Sequence, residues 1–223
     1  MSKPLSILGQ TITGVVVNNN TPQMLQRAIR SVWAHYPDMN MIVIDNAAPR
    51  HRKDIGRLKF QWNKDNLGHA KGISQGMNRC FTDYIFLFDS DVVMTKHGLL
   101  ERCLAAGGNR PWYGAGEVKL DREKMHNCGI EHEMMYLEPY CCLLDCDEFY
   151  KYRRPVDHGS PMISTMLDMA QKGHNHKLVH VDPRPFVIHE WLGSQKRGFD
   201  RSYGFKMAAT TRRGGNYWSL EGS

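Results

Sequence analysis

The residues with the clearest capacity for chemistry are Asp89 and Asp91, two aspartates separated by a single serine. They directly follow the apolar run Tyr84-Ile-Phe-Leu-Phe88, which is typical of a buried strand. Where such a strand ends and the backbone turns, both carboxylates can reach one hard cation, and Mg²⁺ and Mn²⁺ bind carboxylate oxygens together with phosphate oxygens and water. The alternative is a structural turn in which one aspartate caps the next helix. The position at the end of a buried strand favours the metal site.

A second group of metal-ligating residue types lies between positions 126 and 146, with a spacing that fits no ordinary zinc finger or ribbon. Its members are His126, Cys128, His132, Cys141, Cys142 and Cys146. The segment beginning at His132 is not a His-Glu-x-x-His zinc helix, because Tyr136 occupies the place of the second histidine. Adjacent cysteines are also rare in small disulfide scaffolds. We therefore expect buried free thiols here, with a zinc site as the alternative.

Three continuous apolar runs predict the strands that would position these groups. The runs span Thr13 to Val17, Met41 to Ile44 and Tyr84 to Phe88, and asparagine or aspartate follows each of them. Between the first two, Pro22 begins a helical pattern that Thr21 would cap. The order strand, helix, strand predicts a parallel unit with a right-handed crossover. The polar strand ends would then meet at the carboxyl edge of the sheet, where open α/β folds bind ligands.

The remaining elements are less regular in sequence. The patterns predict a strand over 60–62, a helix over 70–80, a helix over 98–106, a strand over 113–120 and a helix over 161–172. Asp168 is expected at the surface of the last helix. One further strand is expected at 178–181 or 185–188, and the charges from Arg50 to Lys59 indicate a solvated helix face.

Composition limits the class of protein. The 223 residues are 41% hydrophobic and contain 29 Lys and Arg against 23 Asp and Glu, a formal net charge of +6. This charge excludes an acidic solvating protein and leaves open a polyanionic or phosphate-bearing partner, without choosing among nucleic acid, lipid headgroup and nucleotide. Neither a signal-like start nor a run of 18 apolar residues is evident. We therefore expect a reduced, cytoplasmic protein without integral membrane association.

Five motifs occur in an order and spacing that resemble the nucleotide-sugar-binding half of the family 2 glycosyltransferases, which have the GT-A fold. The motifs are Val15-Val-Val-Asn18, Ser31-Val-Trp33, Met41-Ile-Val-Ile-Asp45-Asn46, Asn66-Leu-Gly68 and Tyr84-Ile-Phe-Leu-Phe-Asp89-Ser-Asp91. The resemblance implies a Rossmann-like α/β fold with a mainly parallel central sheet flanked by helices, in one domain over 1–223. Residues 1–95 would bind the nucleotide sugar, 96–192 would form the acceptor and catalytic half, and 193–223 would form a basic flexible tail.

The resemblance also implies roles for individual residues. Asp45 would accept hydrogen bonds from the base or ribose. Asp89 and Asp91 would hold Mn²⁺ or Mg²⁺, with His189 as a further ligand and Glu190 as a weaker alternative. A divalent ion at the diphosphate would neutralise the charge that builds on the leaving nucleotide. The complete set of implied nucleotide-sugar-binding residues is Asn18, Asp45, Asn66, Gly68, Lys71, Asp89 and Ser90.

Inverting members of this family also need a carboxylate base that deprotonates the acceptor hydroxyl. The candidate is Asp157, which precedes the helix expected over 161–172. The usual acidic pair is absent at this point, and helix capping is the structural alternative for Asp157. In the tail, Lys196, Arg197 and Arg201 would contact the diphosphate or simply contribute to solubility.

The leading hypothesis is a metal-dependent inverting glycosyltransferase of the hexosyltransferase type, which moves a sugar from a nucleotide-diphosphate sugar to an acceptor hydroxyl. Compatible acceptors are a glycan, a small molecule or a modified base in DNA, as in phage-type DNA glycosyltransferases. The DNA acceptor is compatible with the basic and aromatic residues that are interleaved in the tail. One alternative is a non-catalytic nucleic-acid-binding module on the same fold. The other is a nucleotidyltransferase, although no glycine-rich phosphate loop follows the first strand.

Overall fold

The computed structural model describes residues 5–19, 21–46, 57–120, 134–155 and 160–190. These residues form ten strands and five α-helices. The strands are β1 Leu5–Ile7, β2 Gln10–Asn19, β3 Asn40–Asn46, β4 Leu58–Asn63, β5 Tyr84–Asp89, β6 Val92–Met94, β7 Gly114–Leu120, β8 Met135–Asp145, β9 Leu178–His180 and β10 Val187–His189. The helices are α1 Pro22–His35, α2 His69–Met77, α3 Leu99–Gly107, α4 Cys146–Phe149 and α5 Ile163–Gln171, and a 3₁₀ helix spans Asn175–Lys177.

Eight of these strands form one mixed sheet in the order β4-β3-β2-β5-β8-β7-β9, with β1 paired to the start of β2. Strands β4, β3, β2 and β5 run parallel, whereas β8 lies antiparallel between β5 and β7. Strands β6 and β10 form a separate antiparallel pair. This mainly parallel α/β architecture confirms the fold class predicted from the sequence.

Both faces of the sheet are covered by helices, which explains why its central strands are apolar at nearly every position. Ile12 and Val16 of β2 pack into the core that α1 and α3 close. Val15 and Val17 point to the other face, into the core that α2 and α5 close. The sheet is therefore buried between two hydrophobic layers, and its polar strand ends are the places where ligand chemistry can occur.

Helix α1 begins at Pro22, as predicted, and buries an apolar stripe made of Leu25, Ala28, Ile29 and Val32. The predicted capping role of Thr21 is wrong, because its side chain makes no cap hydrogen bond. The Thr21 hydroxyl instead donates to Asn18 Oδ1 at 2.7 Å. Among the described residues, no helix has the length and apolar character needed to cross a membrane.

The segment around residues 128–152, to which no element was assigned from its sequence, contains the eleven-residue strand β8. Glu138 and Pro139 interrupt its apolar pattern, and the neighbouring strand β7 shifts register between Gly116 and Val118. The two alternatives for a final strand both exist, as β9 and β10, in different sheets.

Two expectations about charged residues are wrong. Lys59 lies in strand β4 rather than on a helix, and positions 50–56 of that charged run are outside the described residues. Asp168 is only 9% exposed, not at the surface of its helix. It accepts hydrogen bonds from the backbone N–H of Arg153 and from Lys172 Nζ, both at 2.9 Å. The carboxylate therefore fixes the chain that precedes α5.

Candidate metal and nucleotide site

Polar side chains meet at the carboxyl edge of the parallel strands. Asn18 of β2 lies opposite Asp45 of β3, and Val17 of β2 lies opposite Asp89 of β5. This register follows from the parallel pairing of strands that all end in asparagine or aspartate. The edge therefore collects the residues that sequence reasoning assigned to it, at the location where open α/β sheets bind ligands.

Asp89, Asp91 and His189 form a compact group, here called the metal triad, in which one ligand atom from each lies within 4.8 Å of the others. His189 Nε2 lies 3.2 Å from Asp91 Oδ1 and 3.9 Å from Asp89 Oδ2. Asp89 ends β5, and Asp91 lies in the turn that leads to β6. Because β10 pairs with β6, His189 stands beside Val92. The β6–β10 pair thus brings His189 across nearly one hundred positions of sequence to the two carboxylates.

The surroundings of the triad influence its protonation. Burial raises the pKa of Asp89, an effect that the nearby imidazole of His69 opposes and the carboxylate of Asp91 reinforces. Burial lowers the pKa of His189, but the hydrogen bond to Asp91 and the negative charges of Asp91, Asp89 and Glu138 together outweigh burial, and the pKa is raised. Two carboxylates and an imidazole are hard and borderline donors that suit Mn²⁺ or Mg²⁺. The donor set therefore fits a divalent metal ion.

Tyr140 supports the triad from β8, a contact that sequence reasoning missed. Its ring stacks on His189 with centroids 4.5 Å apart and planes 14° apart. The Tyr140 hydroxyl donates to Glu117 Oε2 at 2.6 Å. Burial, followed by the contact with Glu117, raises the pKa of Tyr140, so the phenol stays protonated. The stack restricts the orientation of the His189 ring.

A buried polar chain lies beside the triad. Asn18 Nδ2 donates to Asp45 Oδ1 at 2.6 Å, and the Thr21 hydroxyl donates to Asn18 Oδ1 at 2.7 Å. The hydroxyls of Thr21 and Ser90 lie 3.2 Å apart, which connects this chain to the loop that contains Asp89 and Asp91. Asn18 and Asp45 are at most 1% exposed. The structure therefore brings Asn18, Asp45 and Ser90 together.

A second polar network links the ends of β3 and β4 to α2. Asn46 Nδ2 donates to the carbonyl of Gly68 at 3.2 Å, and Asn63 Nδ2 donates to Asn46 Oδ1 at 2.7 Å. The backbone N–H of Gly68 donates to Asn66 Oδ1 at 2.9 Å. Gly68 has a φ of 86°, which glycine adopts without strain. Asn66 and Gly68 thus shape the entrance of α2, whereas Lys71 is exposed on the first turn.

His69 is a second residue that sequence reasoning passed over. Its Nε2 lies 3.3 Å from Asp89 Oδ1. Its position directly after the Asn66-Leu-Gly68 motif could have drawn attention to it. Nothing in the local sequence, however, indicates that the start of α2 approaches the end of β5. Glu190 has a different contact from the one expected, because its carboxylate pairs with Arg27 while its backbone N–H donates to the carbonyl of Asp91.

Several predicted residues cannot be compared with the structure, because Asp157, the tail residues Lys196, Arg197 and Arg201, and the zinc candidates His126, Cys128 and His132 lie outside the described residues. In the part of the chain that is described, Cys141, Cys142 and Cys146 are free thiols. The metal triad is the one group of potential metal ligands found there.

A mainly parallel α/β sheet with an Asp-x-Asp motif at its carboxyl edge defines the class of GT-A glycosyltransferases. Residues 14–110 match the family model described as glycosyl transferase family 2. This match covers the region whose motifs resemble that family, and the structure has the GT-A fold that the resemblance implies. A comparison with curated proteins finds no match.

Solved glycosyltransferases share this fold at low sequence identity. Glucosyl-3-phosphoglycerate synthase from Mycobacterium tuberculosis, solved with phosphoglyceric acid, has a TM-score of 0.62 at 13% identity over 92% of this chain and 80% of that one. The mannosyltransferase PcManGT from Pyrobaculum calidifontis, solved with GDP-Man and Mn²⁺, has a TM-score of 0.53 at 10% identity over 77% of this chain. The present chain spans 54% of that mannosyltransferase. The galactosyltransferase LgtC, solved with donor and acceptor sugar analogs, has a TM-score of 0.51 at 14% identity over 77% of this chain and 74% of that one.

Proposed function

We propose that this protein is a metal-dependent inverting glycosyltransferase that transfers a sugar from a nucleotide-diphosphate sugar to an acceptor hydroxyl. The observation that carries the proposal is the metal triad of Asp89, Asp91 and His189, whose ligand atoms lie within 4.8 Å of one another at the carboxyl edge of a parallel sheet. A purely structural turn would not require a histidine from a distant strand to meet both carboxylates.

The donor nucleotide would lie against the buried polar chain beside the triad. Asp45 and Asn18 together offer a carboxylate and an amide to the base and ribose, and Ser90 lies between them and the metal ligands. Asn66, Gly68 and Lys71 border this region at the start of α2, where backbone N–H groups and a lysine favour an anionic ligand. The diphosphate would then lie between α2 and the triad.

Asp89, Asp91 and His189 would hold Mn²⁺ or Mg²⁺ against the donor diphosphate. When bound, the ion supplies positive charge at the oxygens that become negative as the nucleotide leaves. The Mn²⁺ that accompanies GDP-Man in the PcManGT structure supports this assignment by analogy of fold. Manganese also suits the imidazole ligand better than magnesium does.

In the chemical step, Asp157 would accept the proton of the acceptor hydroxyl while the oxygen of that hydroxyl forms a bond to the anomeric carbon. The bond from that carbon to the diphosphate oxygen breaks, and the nucleotide diphosphate leaves with the electron pair. Attack from the face opposite the leaving group inverts the anomeric configuration. The described residues reach Pro155 on one side of Asp157 and Ser160 on the other, and Ser160 precedes α5.

Thermal stabilisation by a panel of nucleotide sugars, each with Mn²⁺, tests the donor part of the proposal. We expect one donor to raise the melting temperature, and we expect slow hydrolysis of that donor in the absence of an acceptor. Asp91→Ala should abolish both effects, whereas Asp38→Ala, which alters an exposed aspartate paired with Arg57, should retain them. A panel in which no donor gives an Asp91-dependent shift would contradict the proposal.

The stereochemistry and the base require separate measurements. Proton NMR of the sugar released from an α-linked donor should show the β-anomer first, and release of the α-anomer first would contradict inversion. Asp157→Asn should retain donor binding while its turnover falls about 100-fold or more, because general base catalysis typically contributes 10²-fold to 10⁴-fold.

The acceptor would be a glycan, a small molecule or a modified base in DNA. The net charge of +6 supports an anionic acceptor. Retention on a DNA column that falls steeply as salt increases would support a DNA acceptor, since phosphate contacts release counterions. Elution at low salt would favour the other two classes, which a screen with the identified donor can then separate.

A further inference from the structure

The two carboxylate oxygens of Asp89 face different histidines, and one of these is His69, the first residue of α2. Its Nε2 lies 3.3 Å from Asp89 Oδ1, whereas His189 Nε2 lies 3.9 Å from Asp89 Oδ2. This nitrogen of His69 is buried and makes no hydrogen bond within the described residues, so Asp89 Oδ1 is the carboxylate oxygen that it faces at ion-pair distance. One oxygen of Asp89 therefore faces α2, and the other faces His189, another member of the metal triad.

His69 contacts the candidate metal ligand Asp89, but it does not belong to the group that could bind the metal ion directly. The group whose ligand atoms all lie within 4.8 Å of one another contains Asp89, Asp91 and His189 but not His69. Metal-binding carboxylates are themselves commonly held by a hydrogen bond, which fixes their orientation. An N–H at Asp89 Oδ1 would also offset the repulsion between the neighbouring carboxylates of Asp89 and Asp91.

The loop before α2 holds His69 in a fixed place. The backbone N–H and carbonyl of Gly68 are both bonded, to Asn66 and Asn46 respectively. Gly72, on the next turn of α2, has no side chain, which allows the helix to approach Val17 of β2 closely. The start of α2 is therefore anchored to the same strand ends that support the candidate nucleotide site.

We propose that His69 is a positioning residue of the metal site, where its Nε2–H holds Asp89 Oδ1 so that Oδ2 is presented together with Asp91 and His189. This inference rests on the proposed function, since it requires that the triad bind a divalent cation. It assigns His69 a role in metal affinity, and it links the loop at the start of α2 to the metal ligands.

Titration of the full chain with Mn²⁺, followed by electron paramagnetic resonance of the free ion, tests this role without measuring activity. We expect His69→Ala to weaken Mn²⁺ binding about 10-fold to 100-fold, the range typical of residues that support a metal ligand. His69→Gln should recover most of the affinity because its amide nitrogen reaches the position of Nε2. His69→Asn should not, because its amide corresponds to Nδ1.

His97→Ala is the matched control, because His97 Nε2 also faces a carboxylate, that of Glu101 at 3.1 Å, outside the candidate site. It should leave Mn²⁺ binding unchanged. If His69→Ala does not fold, as judged by circular dichroism, the comparison of the Gln and Asn variants decides. Equal affinity of wild type, Gln and Asn variants would overturn the role of His69 alone. Failure of the wild type to bind Mn²⁺ through Asp91 would overturn the proposed function as well.

Discussion

Two groups of polar residues meet at the candidate site, and single substitutions can separate their roles. Asp45→Asn preserves the shape of the side chain and an oxygen to accept from Asn18 Nδ2, so we expect the fold and the Mn²⁺ affinity to be retained. Donor affinity should fall about 10-fold to 100-fold, because a hydrogen bond to a charged group contributes about 1.5–3 kcal/mol. Isothermal titration with the identified donor measures the change.

The control for this prediction is Asp38→Asn, which alters an exposed carboxylate in an ion pair with Arg57. It should bind the donor as the wild type does. Unchanged donor affinity in Asp45→Asn would remove Asp45 from the nucleotide site, while a simultaneous loss of Mn²⁺ affinity would show that the two groups are not separable.

The stack of Tyr140 on His189 can be tested in the same way. Tyr140→Phe keeps the ring and loses the hydrogen bond to Glu117, so we expect little change in Mn²⁺ affinity. Tyr140→Leu removes the stack and should weaken Mn²⁺ binding about 2-fold to 10-fold, since aromatic pairs contribute about 0.5–1.5 kcal/mol. Tyr84→Leu removes the stack on Trp112 at the other end of β5 and serves as the control. Equal affinities in the Phe and Leu variants would contradict the role of the ring.

Sequence reasoning identified Asp89 and Asp91 because they directly follow a recognisable strand, and it identified His189 from the family resemblance. Asp89 and Asp91 follow five apolar residues, and His189 follows a shorter apolar run. His69 and Tyr140 carry no such local signal. Their contacts depend on how α2 and β8 lie relative to β5, which is decided by tertiary packing rather than by neighbouring residues in the chain.

At the level of elements, the close packing of α2 on β2 positions the site. A Cβ atom at Gly72 would lie 2.6 Å from Val17 Cγ1, which is too close for van der Waals contact. Gly72→Ala should therefore lower the free energy of unfolding by about 1–3 kcal/mol, the usual cost of overpacking. Urea denaturation measures this loss.

A double-mutant cycle with Val17→Ala identifies the cause, because the smaller side chain vacates the space that the new methyl group needs. The double variant should be more stable than the sum of the two single effects predicts. Strict additivity would mean that Gly72→Ala acts through something other than contact with Val17.

The ion pairs of Glu148 connect α4 to the chain before β9. Glu148 is 4% exposed and accepts hydrogen bonds from Lys151 Nζ at 2.6 Å and Lys177 Nζ at 2.7 Å. Burial alone would raise the pKa of Glu148, but the two lysines outweigh burial and lower it below the ordinary value of 4.5. The ionised carboxylate therefore stabilises the fold above that value, and this contribution is lost as the pH falls through the lowered pKa.

Glu148→Gln should thus be less stable than the wild type at neutral pH, and the difference should shrink as the pH falls below about 4.5. Thermal melts of both proteins between neutral pH and pH 3 measure it, with Glu101→Gln as a control for a more exposed glutamate. A difference that is constant across this range would contradict the assignment of the stabilisation to the ion pairs.

Most of the parallel half of the sheet was predictable, whereas β8 was not. Strands β2, β3 and β5 are buried on both faces, so their sequences are continuous apolar runs that stand out locally. Strand β8 contains Glu138 and Pro139 where β7 shifts register, and proline is normally excluded from the interior of a sheet. Its strand conformation depends on the neighbours β5 and β7, which local sequence does not reveal.

At the scale of the whole molecule, β8 joins the two halves of the chain. It pairs with β5 from the first half, residues 1–95, and with β7 from the second half, so both halves lie in one eight-stranded sheet. The two hydrophobic layers also contain residues from both halves. The metal triad likewise combines Asp89 and Asp91 with His189 from the far end of the described chain. Neither half can therefore complete its core or its metal site alone.

We consequently expect the protein to unfold as one cooperative unit, as the prediction of a single domain requires. Tryptophan fluorescence and far-ultraviolet circular dichroism should report the same melting temperature. Gly72→Ala in the first half and Glu148→Gln in the second should both shift this one transition, by about 2–4 °C per kcal/mol for a chain of this size. Two separate transitions, each sensitive to only one of the variants, would contradict a single domain. Two separate transitions are not expected from the observed pairing of β5 and β8, because melting of either half alone would expose the apolar residues that pack against it in the other half.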